Sequence, residues 1–391
     1  MQQFGLTRLE KVISGAGAIR SLSAELDRRG LKAALVITTA SLGRCALTAR
    51  ITQNLGPRCV GVAATAAQHV PASSVRALAG LIEQLQADCV VSFGGGSAID
   101  SAKVAVASRI NGRDMTREAG ALDLARAFDP ATGPEFAHFA IPTTLSAGAF
   151  TPAGGVTDET THRKHAVIDA RLQPCVVVHD PELCTATPDA LWVTTGIRVL
   201  DHAIETIYAK RAHPLSSALG MRAIRMIVEH LPGSRGDDAV AIEHRGHCLD
   251  AAWLSLYGGF NTGLGLSHAL GHQIGPAFDV PHGLTSCLAL VPAMRCMAGR
   301  SPRRFGDIAE ALRVRYDPAR PDAGARACAD TVARFIAQFP VPTSLAALGI
   351  TLDSAEALAA AVHEELSLFD ALDAPLSVAE IRTLLRAVHA G

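Results

Sequence analysis

Short runs of apolar residues recur through the first half of the chain, and each run ends in small or polar residues. Segments with helical periodicity, such as 74–87 and 97–110, separate these runs. Strands that are apolar on both faces and alternate with helices are typical of a parallel sheet covered by helices on both sides. The runs that we interpret as such strands are 33–39, 59–63, 89–93, 137–141 and 175–178.

The second half of the chain has long Ala- and Leu-rich segments and few strand-like runs. We therefore predict an α/β domain with a parallel sheet over 1–184 and an all-α domain over 185–391. The polar stretch 231–238 predicts a loop between two helices. The segments that we expect to be helical are 188–209, 215–231, 242–257, 325–339, 351–369 and 376–390.

The composition is that of a globular protein acting on small molecules. Lys plus Arg (36) nearly balance Asp plus Glu (37), so no basic field attracts nucleic acid or a membrane surface, and aromatic residues are only 4%. No apolar run reaches the ~18 residues that span a bilayer. The nine cysteines form no CxxC pair, and the N-terminus lacks the plan of a signal peptide. We therefore expect reduced thiols and a cytoplasmic location.

A glycine-rich motif, GGGSAIDSAK over 94–103, follows one predicted strand and leads directly into a helix. Glycines allow a ligand to approach the backbone closely, and a helix N-terminus attracts phosphate. A turn with Ser97 as the N-cap is the alternative interpretation, because the motif is not GxGxxG. A second polar strand end, IPTTLSAG over 141–148, belongs to the same predicted sheet edge, where ligands of parallel sheets bind. Two such strand ends favour a dinucleotide site.

The end of an earlier strand carries Thr38 and Thr39. An acidic residue at such a position often binds the adenosine ribose diol of NAD. Because none is present here, the sequence leaves the choice between NAD and NADP open.

Imidazoles and one guanidinium recur at helical spacing in the second half. His268 and His272 are four residues apart, so on a helix they share one face, and His282 follows a Pro at a predicted turn. Upstream, Arg198 and His202 repeat the four-residue spacing. A single buried histidine is commonly a packing residue, but five such side chains favour a catalytic site.

These motifs together resemble the iron-containing alcohol dehydrogenase superfamily (group III), and within it the maleylacetate reductase branch. The resemblance extends from ISGAG at 13–17 through the two strand-end motifs, HDPEL at 179–183 and LDHAIE at 200–205, to SHALGHQIGPAFDVPHG at 267–283. It implies a dehydroquinate synthase-like architecture, with an N-terminal dinucleotide-binding domain, a helical domain and an active site in the cleft between them. It also implies a homodimer and a role in aromatic compound catabolism.

The resemblance further implies which residues hold a metal in the metal-dependent members. His202, His268 and His282 match three family ligands, whereas Arg198 stands where the fourth, an Asp, is expected. His272 matches a family histidine near the substrate and nicotinamide. A guanidinium has no lone pair to offer and repels a divalent ion, so we expect no metal. The Arg198 guanidinium is instead suited to bind a developing oxyanion or a substrate carboxylate.

Two acidic residues near His202 bear on whether a metal is bound. Asp201 points to a different side of the helix from His202, and Glu205 is expected at most to support His202 from behind. The alternative for Arg198 is an outward ion pair with Asp201, which leaves three histidines to bind iron or zinc.

We therefore expect an NAD(P)H-dependent oxidoreductase that reduces a carbonyl or enone of a small carboxylated substrate. The alternatives are an iron- or zinc-dependent alcohol or aldehyde dehydrogenase and a non-catalytic nucleotide-binding homologue. The expected catalytic residues are Arg198, His202, His268, His272 and His282. The expected cofactor-binding residues, Lys164 among them by the resemblance, are Thr38, Thr39, Gly95, Gly96, Ser97, Asp100, Thr143, Thr144, Ser146 and Lys164. For Lys164, a solvated basic hairpin is the alternative.

Overall fold

The computed structural model describes residues 4–117, 136–161, 163–257, 259–263, 265–370 and 372–391. These residues form two compact units. The sheet unit contains Gly5–Thr187 and Ser234–Asp250, and the helical unit contains Phe4, Pro188–Gly233 and Ala251–Gly391.

The described part of the sheet unit contains a six-stranded parallel sheet and a separate antiparallel hairpin. The sheet order is β1-β8-β5-β4-β2-β3, and β6 pairs with β7. The strands are β1 (Lys11–Ser14), β2 (Ala34–Thr39), β3 (Cys59–Ala66), β4 (Cys89–Gly94), β5 (Ala137–Pro142), β6 (Ala153–Asp158), β7 (Arg163–Ile168) and β8 (Val176–His179).

The α-helices follow in chain order. They are α1 (Leu22–Arg28), α2 (Ala40–Gly43), α3 (Ala46–Leu55), α4 (Ala72–Gln84), α5 (Gly96–Asn111), α6 (Asp189–Tyr208), α7 (Pro214–His230), α8 (Ala239–Tyr257), α9 (Leu266–Phe278), α10 (His282–Arg300), α11 (Gly306–Ala311), α12 (Pro321–Ile336), α13 (Leu352–Glu356), α14 (Ala359–Phe369) and α15 (Val378–Ala390).

Apolar side chains cover both faces of the sheet, as the predicted α/β fold requires. On β2, Val36 packs in one cluster with Leu26 and Leu55 of α1 and α3. Its neighbour Leu35 packs in the other cluster with Leu78 of α4. Successive residues of a strand point to opposite faces, so a wholly apolar strand buries both. The predicted α/β and all-α fold class is confirmed.

Several elements differ from the sequence-based expectation. β1 was not predicted, and the β6–β7 hairpin was anticipated only as the alternative surroundings of Lys164, because these segments lack the long apolar runs of the central strands. The predicted helix over 351–369 is two helices, α13 and α14, although neither Gly nor Pro marks the break. Among the described residues, no helix combines the length and the apolar character needed to cross a bilayer.

Lys103 connects α5 to the loop that follows β5. Its Nζ donates to the carbonyl oxygens of Gly148, Thr151 and Ala153 at 2.6–2.8 Å. Burial lowers the pKa of Lys103 to about 8, and the charge of Asp100 opposes this shift. Because three carbonyl dipoles converge on one ammonium, Lys103 determines the path of this loop beside the start of α5.

Replacement of Lys103 by Met is expected to lower the free energy of unfolding by about 3 kcal/mol, because buried carbonyl oxygens lose their donor. Urea unfolding measures this loss. The control is Arg109→Met, an exposed position on the same helix, which is expected to change stability by less than about 0.5 kcal/mol. Equal effects of the two changes would contradict the anchoring role of Lys103.

Candidate active site

The turn between β4 and α5 requires glycine. Gly94 has φ +147°, and a Cβ on Gly95 would lie 3.0 Å from Cγ2 of Thr144. Gly95 is also the N-cap of α5, so the alternative that made Ser97 the N-cap is wrong. The free N–H groups at the start of this 16-residue helix can therefore meet a ligand without an intervening side chain.

The loop after β5 lies against this turn. The Thr143 N–H donates to the Gly94 carbonyl at 3.0 Å, and a Cβ on Gly96 would lie 3.3 Å from Oγ of Ser146. Oγ1 of Thr144 and Oγ of Ser146 are buried and have no hydrogen-bond partner among the described residues. We call residues 94–97 and 143–146 the nucleotide edge. Two unpaired hydroxyls beside a helix N-terminus fit a diphosphate.

Asp100 and Lys164 lie close together in the sheet unit. Oδ2 of Asp100 accepts the Gly155 N–H at 3.2 Å, and a Cβ on Gly155 would lie 2.5 Å from Cε of Lys164. Burial raises the pKa of Asp100, and the charges of Lys103 and Lys164 oppose this shift. Lys164 belongs to β7, so the β6–β7 hairpin brings it to Asp100, one turn along α5 from the nucleotide edge.

Thr38 and Thr39 have different environments at the end of β2. The Thr38 hydroxyl is buried and donates to the Phe93 carbonyl at 2.7 Å, so it joins two adjacent strands. The Thr39 hydroxyl accepts the Leu42 N–H at 3.5 Å and contacts the Ser41 hydroxyl at 3.1 Å. Of the two, Thr39 is the more accessible to a ligand.

In the helical unit, the four predicted imidazoles lie in one row. His202 stacks on His268 with ring centroids 4.9 Å apart, and the His268 ring lies 6.3 Å from that of His272. His272 in turn stacks on His282 at 5.5 Å. We call these residues and Arg198 the histidine–arginine cluster. Three helices supply it: α6 carries Arg198 and His202, α9 carries His268 and His272, and His282 begins α10.

The Arg198 guanidinium is buried inside the helical unit. Its Nη1 donates to the His282 carbonyl at 3.2 Å and to the Ser286 hydroxyl at 3.1 Å. Burial lowers the pKa of Arg198 to about 10, while the charges of Asp201 and Glu205 oppose this shift. Arg198 therefore remains a cation at neutral pH. The alternative of an outward ion pair with Asp201 is wrong.

Glu205 bonds the start of α9. Its carboxylate accepts the backbone N–H groups of Gly265, Ser267 and His268 at 2.7–3.3 Å, the Tyr208 hydroxyl at 2.7 Å and Nδ1 of His268 at 2.6 Å. The expectation that it supports His202 is therefore corrected: its imidazole partner is His268. A carboxylate at a helix N-terminus is favourable because the unpaired N–H groups carry partial positive charge.

Burial keeps the inner histidines neutral. It lowers the pKa of His268 to about 3 and holds the pKa of His202 well below its ordinary value, with the charge of His268 next in importance for His202. Glu205 accepts a hydrogen bond from Nδ1–H of His268, so Nε2 of that neutral ring carries the lone pair. Asp201 accepts a hydrogen bond from the Ser267 hydroxyl at 2.9 Å, and its Oδ1 lies 3.8 Å from Nδ1 of His268. The position of Asp201 in the sequence did not indicate this proximity to His268.

A metal ion needs several lone pairs about 3.3 Å apart around one point, as Zn–N bonds of ~2.1 Å require. Among the described residues, the compact group of potential ligand atoms is Asp201, Glu205 and His268, and the trio His202, His268 and His282 does not form such a group. The Glu205 oxygens already accept five hydrogen bonds, and Arg198 places a cation beside them. The residues present therefore do not fit the catalytic metal that the resemblance implies.

Sequence reasoning missed two polar residues of the cluster. Ser286 lies one turn beyond His282 on α10 and contacts Arg198. Glu365 on α14 contacts His272 from 93 positions away along the chain. The four-residue spacing from His282 is a local signal for Ser286, whereas none exists for Glu365.

A glycine-lined helix start at the edge of a parallel sheet and a buried cation among imidazoles are each compatible with the class of dinucleotide-dependent oxidoreductases. The model of the Fe-containing alcohol dehydrogenase family, C-terminal, matches residues 192–389, and that of iron-containing alcohol dehydrogenase matches residues 10–181. The chain belongs to the iron-containing alcohol dehydrogenase family, as its motifs indicated, and it is an oxidoreductase.

Relatives in this family have more than one activity. The chain is 30% identical to the NAD-dependent methanol dehydrogenase of Bacillus methanolicus, over 90% of this chain and 91% of that protein. It is 31% identical to a maleylacetate reductase of Burkholderia cepacia, over 89% and 88%. The crystal structure of maleylacetate reductase from Agrobacterium tumefaciens superposes with a TM-score of 0.77 at 26% identity, covering 100% of this chain and 99% of that one.

Replacement of Glu205 by Gln is expected to lower the free energy of unfolding by about 2–4 kcal/mol, because an amide cannot accept all of the buried donors. Tyr208→Phe is the matched control: it removes one donor and is expected to cost about 1–2 kcal/mol. Denaturant unfolding of both variants measures the difference. A Gln variant as stable as the parent would show that Glu205 does not hold the start of α9.

Proposed function

We propose that the protein is an NAD(P)H-dependent reductase acting on a carbonyl or enone of a small carboxylated substrate, similar to maleylacetate reductase and independent of metal. The observation that carries this proposal is the buried Arg198 guanidinium, held beside four imidazoles by the His282 carbonyl and the Ser286 hydroxyl. Similarity to maleylacetate reductases is consistent with it.

The nucleotide edge binds the dinucleotide. The backbone N–H groups at the start of α5 and the hydroxyls of Thr144 and Ser146 bond the diphosphate, and Asp100 and Lys164 supply further polar contacts. When bound, a nicotinamide cofactor supplies the hydride. Thr39 lies where the adenosine ribose is expected. Its hydroxyl is compatible with the ribose of NAD and with the 2′-phosphorylated ribose of NADP, because it does not repel a phosphate as a carboxylate would.

Arg198 supplies the positive charge that the reduction requires. Addition of hydride to a carbonyl carbon places negative charge on oxygen, and a fixed cation in a dry site stabilises that charge. A guanidinium also pairs with a carboxylate through two parallel hydrogen bonds. Because Nη1 already has two partners in the protein, the remaining N–H groups are the ones that meet the substrate.

His272 delivers the proton. His202 and His268 are buried and held neutral, whereas the His272 side chain is 30% exposed and therefore open to solvent. The inner rings present lone pairs and orient the substrate. In this assignment, the hydride forms the new C–H bond, and an N–H bond of the protonated His272 ring breaks to form the O–H or C–H bond of the product, which leaves the ring neutral.

Replacement of Arg198 by Ala is expected to lower kcat/KM for a carboxylated keto or enone substrate by about 10²–10³-fold, because the developing charge loses its fixed partner. The dissociation constant for NADH or NADPH is expected to stay within about twofold of the parent value. Steady-state kinetics and nicotinamide fluorescence measure the two quantities. Arg198→Lys is the matched variant and should recover part of the activity, since it keeps the positive charge but cannot form two parallel hydrogen bonds.

Retention of full activity by the Ala variant would contradict the role of Arg198. A loss confined to carboxylated substrates, with simple aldehydes unaffected, indicates a carboxylate contact. A loss with both classes indicates stabilisation of the oxyanion.

Prolonged treatment of the protein with a strong chelator is expected to leave kcat unchanged, because Arg198 occupies the position of a metal ligand. Added Fe²⁺ or Zn²⁺ is expected to give no stimulation. Turnover assays with parallel metal analysis measure both, with an iron-dependent alcohol dehydrogenase as the positive control for chelation. Loss of activity that iron or zinc restores would establish the metal-dependent alternative.

A further inference from the structure

A carboxylate from the far end of the helical unit bonds His272. Oε1 of Glu365, on α14, lies 2.5 Å from Nδ1 of His272 on α9. Its other oxygen accepts from Nε2 of Gln273 at 2.6 Å. The Glu365 side chain is only 13% exposed. Two neighbouring residues of α9 therefore bind both oxygens of one largely covered carboxylate.

This contact determines which nitrogen of His272 carries a proton. An ionised carboxylate only accepts hydrogen bonds, so Nδ1 of His272 must be the donor. Nε2 is then the ring atom left for a ligand, and carboxylate–imidazole pairs in other proteins fix the ring in the same way. Stacking on His282 at an interplanar angle of 7° and the edge contact with His268 at 81° restrict rotation of the ring further.

We propose that Glu365 is a positioning residue that keeps one proton on Nδ1 of His272, so that the second proton of the charged ring lies on Nε2, which is directed to the substrate. The proposal rests on the proposed function, in which His272 delivers that Nε2 proton and returns to the neutral, Nδ1-protonated ring. Glu365 does not touch the substrate; it acts through the ring. A ring that is free to rotate presents its Nε2–H group to the substrate for less of the time.

The bond between Glu365 and Gln273 makes it possible to distinguish a structural role of Glu365 from a positioning role. If Glu365 served only to join the two helices, its bond to Gln273 would serve as well as its bond to His272. A structural role therefore predicts equal consequences for loss of either bond. A positioning role predicts that only the His272 bond affects turnover.

The test compares Glu365→Ala, Glu365→Gln and Gln273→Ala with Glu364→Ala, an exposed carboxylate one residue away on the same helix. Glu365→Ala is expected to lower kcat by about 10–100-fold, with KM within about threefold of the parent value. Glu365→Gln should recover most of the loss, because its amide oxygen still accepts from Nδ1. Gln273→Ala and Glu364→Ala are expected to keep kcat within about twofold.

A second measurement does not depend on turnover. The ¹⁵N spectrum of histidine-labelled full-length protein reports the tautomer, and the His272 signals are assigned by their loss in a His272→Gln variant. The neutral His272 ring of the parent is expected to carry its proton on Nδ1, and Glu365→Ala should shift the neutral ring towards protonation at Nε2. If Glu365→Ala does not fold by circular dichroism, Glu365→Met, which fills the space without an acceptor, is compared with Gln273→Ala instead, and only Gln273→Ala should keep the parent kcat and tautomer.

The outcomes separate the two proposals. A folded Glu365→Ala variant with unchanged kcat or an unchanged tautomer overturns the positioning role, as does a Gln273→Ala variant with an equal loss. A parent protein that reduces no carboxylated carbonyl or enone overturns the proposed function, while the tautomer measurement still decides whether Glu365 sets the state of His272.

Discussion

The histidine–arginine cluster depends on one buried carboxylate, that of Glu205. A carboxylate removed from water is costly unless donors surround it, and here the start of α9, Tyr208 and His268 supply five. The same bonds fix the entry of α9 and the tautomer of His268. Because His272 lies one turn further along α9, the register of both imidazoles on that helix follows from where Glu205 holds its first residues.

Arg198 gives this cluster its chemical character. A divalent ion would demand lone pairs from several side chains at once, whereas a guanidinium demands acceptors and finds them in a carbonyl and a hydroxyl. Its charge also disfavours protonation of His202 and His268. The result is a fixed cation next to neutral rings. Within a family that takes its description from iron, this arrangement is the basis for our proposal that anionic substrates are reduced without a metal.

Prediction from sequence succeeded where the signal is local. Apolar runs identified the central strands of the sheet, and four-residue spacing identified which imidazoles share a face of α9. It failed where a partner is distant in the chain. Glu205 was expected near His202, yet it meets His268, and Glu365 carried no signal because 93 residues separate it from His272. A hairpin at Lys164 was one of two interpretations of that stretch, but its contact with Asp100, 64 residues away in the chain, had no local signal.

By itself the sequence determined the alternation of strands and helices and indicated the candidate site residues. Both depend on periodicity and on motifs within a few residues of each other. Only the tertiary structure decided that Arg198 turns inward, that Glu205 bonds the start of α9, and that Nδ1 of His268 and Nδ1 of His272 each face a carboxylate. These states depend on burial and on hydrogen-bond partners from other helices, because the free energy of a charged or tautomeric group is determined by its three-dimensional surroundings.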